Sequence, residues 1–67
     1  MKQIIIQCRD GVRYRTDLYE SQIDGIYIYM GEKWQVEPET RRVIETVKPI
    51  EKILVPWNRV EKIVGGE

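Results

Sequence analysis

Residues 2–9 (KQIIIQCR) and 12–19 (VRYRTDLY) each alternate apolar with polar side chains, and Asp10-Gly11 stands between them. Period-two alternation on both sides of such a turn predicts an antiparallel β-hairpin at the start of the chain. A two-residue turn would set Ile6 opposite Arg15 and put the apolar positions of one strand on the charged face of the other. A three-residue loop, Arg9-Asp10-Gly11, with the glycine in a left-handed bulge position, instead pairs Cys8 with Val12, Ile6 with Tyr14 and Ile4 with Thr16. The second register keeps one face apolar. It leaves Arg13, Arg15 and Asp17 on the other face with Ile5 and Gln7.

The rest of the chain reads in the same way. Residues 26–30 (IYIYM) predict a strand with Ile26, Ile28 and Met30 on one face and Tyr27 and Tyr29 on the other, ending at Gly31-Glu32. Segments 33–37 and 42–47 flank Pro38-Glu39-Thr40-Arg41, a proline-initiated turn that predicts a second hairpin. A helix over 39–48 carrying Val43, Ile44 and Val47 is the competing reading. It is disfavoured because five of residues 40–47 are β-branched and Pro49 would end it early. Residues 50–55 and 59–64 predict two closing strands around a tight or 3₁₀ turn at Pro56-Trp57-Asn58. A single domain over 1–64 with a tail at 65–67 follows.

Composition narrows the choice of class. The 67 residues include no alanine and two leucines against ten isoleucines and seven valines, an excess of β-branched side chains that favours strands. So short a chain buries only about 60% of its unfolded surface, and domains of this size commonly lean on a disulfide, a metal or a partner. Cys8 is the only cysteine and histidine is absent, so neither an internal disulfide nor a thiolate–imidazole zinc site can be built, and imidazole-based catalysis is excluded. Self-association is the remaining supplement. Cys8, among isoleucines, reads as a small buried hydrophobe. A 33% charged content with a single asparagine points toward a thermophilic source. No apolar run reaches the roughly 20 residues that span a bilayer, and no secretion signal is legible, so the expected location is cytoplasmic and away from membranes.

The hairpin at CRDG, the IYIYM strand and the closing ILVPWNRVEKI segment together resemble the SH3-like and Sm-like small barrels. The segment 53–64, an apolar strand running into a Pro-Trp turn, is also similar to the end of PRC-barrel domains. The resemblance implies an all-β, strongly bent antiparallel barrel of five to six strands with short turns and no long helix. It implies assembly or adaptor work, with RNA binding in the Sm-like case.

Arg13, Arg15, Tyr27, Tyr29, Trp34, Arg41 and Arg42 form the candidate binding surface, because basic groups beside aromatic rings can hold a phosphate backbone while bases stack on the rings. Alternation groups Arg13 with Arg15 and Tyr27 with Tyr29 without showing that the two pairs share a face. Eleven basic residues balance eleven acidic ones. Residues 1–19 carry four basic and two acidic groups, residues 20–40 one and five, and residues 41–67 six and four. The acidic middle repels phosphate, so a nucleic-acid strand would lie over Arg13, Arg15, Arg41 and Arg42. No catalytic residue, metal site or cofactor is expected. The expected function is a non-enzymatic interaction module, most simply a homo-oligomer formed through strand edges at 2–9 and 59–64. A single-stranded RNA or DNA binder is the alternative, and a regulatory protein docking on a larger enzyme is a third.

Overall fold

The structure, a computed structural model, describes residues 3–65. Six antiparallel strands make up the sheet: β1 (Ile4–Cys8), β2 (Val12–Thr16), β3 (Tyr19–Ser21), β4 (Gly25–Val36), β5 (Val43–Pro56) and β6 (Val60–Gly65). A 3₁₀ turn at Trp57–Arg59 joins the last two, as the proline-led turn predicted. The spatial order is β3-β4-β2-β1-β6, with β5 along the far side of β4. The sheet curls strongly into a half-barrel. β5 and β6 do not pair with each other, so the curl does not close among the described residues.

The first hairpin takes the three-residue loop. Ile4 lies opposite Thr16 and Ile6 opposite Tyr14, Gly11 has φ 91°, and its N–H donates to the Cys8 carbonyl at 3.2 Å. Asp10 Oδ1 accepts from the Val12 N–H at 3.1 Å, an Asx turn that stiffens the loop. Segment 39–48 is strand and turn, not helix. Gly65, expected in a tail, is the last residue of β6 opposite Ile4, and the remainder of that expected tail lies outside the described residues.

Four further expectations fail, and three of them share a cause. Gly31-Glu32 does not end a strand: β4 runs unbroken through it, and β5 likewise merges segments 42–47 and 50–55 through Pro49. Both strands cross a crease in the sheet. Inward residues are normally two apart along a strand. In β4 they are Ile28 and Gly31, and in the facing part of β5 they are Ile53 and Ile50, each set three apart. Across β2 and β3 the corresponding pair is buried Thr16 and Tyr19, the latter placed on that side by its register opposite Ile28 although it is 39% exposed. Two consecutive residues therefore turn outward in each: Asp17 and Leu18, Tyr29 and Met30, Glu51 and Lys52. Met30, with φ 54° and 75% exposed, is the left-handed residue that reverses the alternation, so it leaves the face of Ile26 and Ile28 where period-two reading put it. Buried Thr16 holds the crease. Its hydroxyl accepts from the Leu18 N–H and lies 3.0 Å from both the Leu18 and Tyr29 carbonyls, to one of which it donates.

The fourth failed expectation concerns edges. β1 is not one, because β2 and β6 flank it. The open edges are β5, β6 and the three-residue β3. Pro49 is consistent with this, since a residue without an N–H is tolerated in a strand where no donor is needed, at an edge. The core on the concave side comprises Ile4, Ile6, Cys8, Tyr14, Ile26, Ile28 and Val55, with Val12, Ile50, Ile53 and Val60 packed against it. No helix among the described residues is long and apolar enough to cross a membrane.

Candidate binding surface

The crease decides which side chains share the convex face. With unbroken alternation, Trp34 would point inward beside Ile26 and Ile28. After the switch at Met30, Glu32 and Trp34 join Tyr27 and Tyr29 on the outside, opposite Arg15 and Arg13 of β2. The two pairs that the sequence left unconnected therefore lie on one face.

Two clusters form there. Arg15 Nε donates to Glu32 Oε1 at 2.9 Å, its Nη2 reaches the same oxygen, and its Cζ stands 5.4 Å from the Trp34 ring centroid. The Tyr27 and Tyr29 rings stack at 6.3 Å with 20° between their planes, and Lys52 Nζ sits 5.3 and 5.7 Å from their centroids. Lys52 was not among the residues singled out from the sequence. It enters because β5 lies beside β4 with Lys52 opposite Tyr29, a register no local pattern reveals. Each cation is thus already engaged. A phosphate approaching Arg15 meets the Glu32 carboxylate, and a base stacking on the tyrosines must displace Lys52.

Arg13, Arg41 and Arg42 behave differently. Arg13 lies opposite Trp34 in the strand register and makes no ion pair among the described residues. Arg41 and Arg42 occupy the β4–β5 turn, where the Arg41 N–H donates to the Glu37 carbonyl at 2.7 Å and the Glu37 N–H to the Arg42 carbonyl at 2.8 Å. Arg41 is left-handed, φ 62°, and lines a cleft of about 480 Å³ with Arg13; Arg42 is not part of that lining.

At the adjacent end of the half-barrel the first hairpin loop docks on the 3₁₀ turn. The Arg9 N–H donates to the Arg59 carbonyl at 3.0 Å and Arg59 Nη2 to Asp10 Oδ2 at 3.3 Å. Burial pushes the Cys8 thiol and the Tyr14 phenol up from their ordinary values; the nearby Arg59 guanidinium opposes the rise and Asp10 adds to it. The folded chain holds both protons more tightly than the unfolded chain. Their contribution to stability is therefore complete below the unfolded values, about 8.5 for a thiol and about 10 for a phenol, and is lost as pH rises through the higher folded values. The urea midpoint is expected to hold steady from about pH 7 to 8 and to fall above about pH 9, with Cys8→Ala removing the earlier part of the fall. A midpoint unchanged up to about pH 11 contradicts this.

Among the described residues, no three cysteine or carboxylate side chains converge as metal ligands. Comparison of the chain with models of known families, with curated proteins and with solved structures returned no match.

Proposed function

We propose that this protein is a non-catalytic assembly module in which the open β5 edge of one copy pairs with the open β6 edge of the next. The observation that carries the reading is the apolar character of the β5 edge before Pro49, where Val43, Ile44 and Val47 are 61%, 60% and 49% exposed. A long open edge bearing such side chains is a template for strand addition. β6 offers a counterpart in exposed Ile63 and Val64. Head-to-tail pairing satisfies the β5 and β6 edges of every copy and closes into a ring when the rotation permits, whereas β5-to-β5 pairing leaves β6 open. The likeness to small barrels drawn from the sequence implies assembly or adaptor work, and this reading accords with it. The engaged state of Arg15 and of the tyrosine pair favours this reading over a nucleic-acid interface on the convex face.

Light scattering coupled to size exclusion at micromolar concentration tests it. The expected mass is a multiple of 8.0 kDa beyond the dimer. The double variant Ile44→Lys/Val47→Lys, altering side chains that are already solvent-exposed, is expected to return the monomer mass with circular dichroism unchanged. A wild-type monomer at that concentration removes the proposal.

A further inference from the structure

Four cations from four different parts of the chain meet at one cleft. Arg9 belongs to the first hairpin loop, Arg13 to β2, Arg41 to the β4–β5 turn and Lys62 to β6, and together they line the cleft of about 480 Å³ beside Gly11 and Pro38. Glu61 is the single carboxylate in that lining. The ion pairs among the described residues are Arg15 with Glu32, Lys48 with Glu45 and Arg59 with Asp10, so none of the four cations is neutralised by a carboxylate. In a chain whose basic and acidic residues balance, such a concentration of one sign in a concave site focuses the field there. Arg41 strengthens the case. It holds a left-handed conformation, φ 62°, that glycine or asparagine adopts at lower cost, and strain of this kind gathers where a side chain is needed in place.

We infer that this cleft binds a compact, multiply charged phosphate-bearing anion, with Arg13, Arg41 and Lys62 as its principal ligands and Arg9 at the rim. The guanidinium groups suit bidentate contact with phosphate oxygens, and Lys62 adds a point charge. The inference does not depend on self-assembly. It concerns the cleft, and the aromatic clusters on the convex face take no part.

Titration calorimetry with inorganic tripolyphosphate at low salt tests it, with a ten-nucleotide oligothymidylate as the second probe. Tripolyphosphate is expected to bind, and Arg41→Asn and Lys62→Gln are each expected to weaken it about tenfold, the share of one charge-assisted hydrogen bond. Arg42→Gln, on the same turn but outside the lining, is expected to leave affinity unchanged. Arg41→Asn also separates binding from folding, because its thermal midpoint should stay level or rise while affinity falls. No binding of tripolyphosphate, an equal loss from Arg42→Gln, or binding of the oligonucleotide alone each overturns the inference. Binding of both probes with the same variant pattern supports it and extends the ligand to a strand's phosphates.

Discussion

Gly11→Ala is expected to cost more than about 3 kcal/mol, a third or more of the stability of the fold. Gly11 has φ 91°, a region in which an L side chain costs about 1–2 kcal/mol. A β-carbon there would stand 2.1 Å from the Val36 carbonyl oxygen, with Pro38 Cδ behind it at 3.4 Å. The clash has no cheap relief. The Gly11 carbonyl accepts the Val36 N–H at 2.9 Å and the Gly11 N–H holds the Cys8 carbonyl, so moving the glycine breaks the contact that fastens the first hairpin to the end of β4. Strain and clash together exceed about 3 kcal/mol, against a total stability of roughly 3–10 kcal/mol for a chain of this length. Circular dichroism during a urea titration reads this directly. A variant within about 1 kcal/mol of the wild type contradicts the geometry of the loop.

A pair of substitutions in β4 tests the crease. Ile28 is fully buried opposite Ile53, and Ile28→Ala is expected to cost about 2–5 kcal/mol through lost transfer energy and the cavity left behind. Met30 lies two residues on, where simple alternation gives it the same surroundings, yet it is exposed and left-handed. Met30→Ala is expected to change stability by no more than about 0.5 kcal/mol, and Met30→Gly to leave it level or raise it slightly, since glycine takes this φ without penalty. Both measurements belong at one fixed protein concentration, because the proposed assembly would add to apparent stability. Equal costs for Ile28→Ala and Met30→Ala would mean that alternation continues through residue 30 and that Trp34 faces the core.

Local signals carried much of the architecture. Asp10-Gly11, the proline turn at residue 38 and the Pro-Trp turn at residue 57 each mark a reversal that the structure contains, and alternation put Ile4, Ile6 and Tyr14 together on the apolar face that forms the core. The crease was not legible. It arises from pairing across three strands, and nothing in the identity of Met30 announces a positive φ, which glycine or asparagine would have signalled. That segments 42–47 and 50–55 form one strand through Pro49 was not legible either, because proline is tolerated in a strand only at an edge, and the sequence does not show which strands are edges. The grouping of the candidate side chains was legible only in part. Arg13, Arg15, Tyr27, Tyr29 and Trp34 do share a face, yet Glu32 and Lys52 reach them through register, and Arg41 meets Arg13 only because the turn at one end of β4 folds beside the first hairpin.

The proposal that the open edges of β5 and β6 pair between copies is tested most directly by amide hydrogen exchange measured across protein concentration. Alternate amides of β5 point away from β4, and β5 has no second strand beside it among the described residues. On raising the concentration from about 1 μM to several hundred μM, those amides in residues 43–48 and their counterparts in β6 are expected to slow by at least about tenfold, while the amides that bond β4 stay constant. Exchange at the edge amides that is equally fast at every concentration would show that the edges remain bare and would contradict assembly through them.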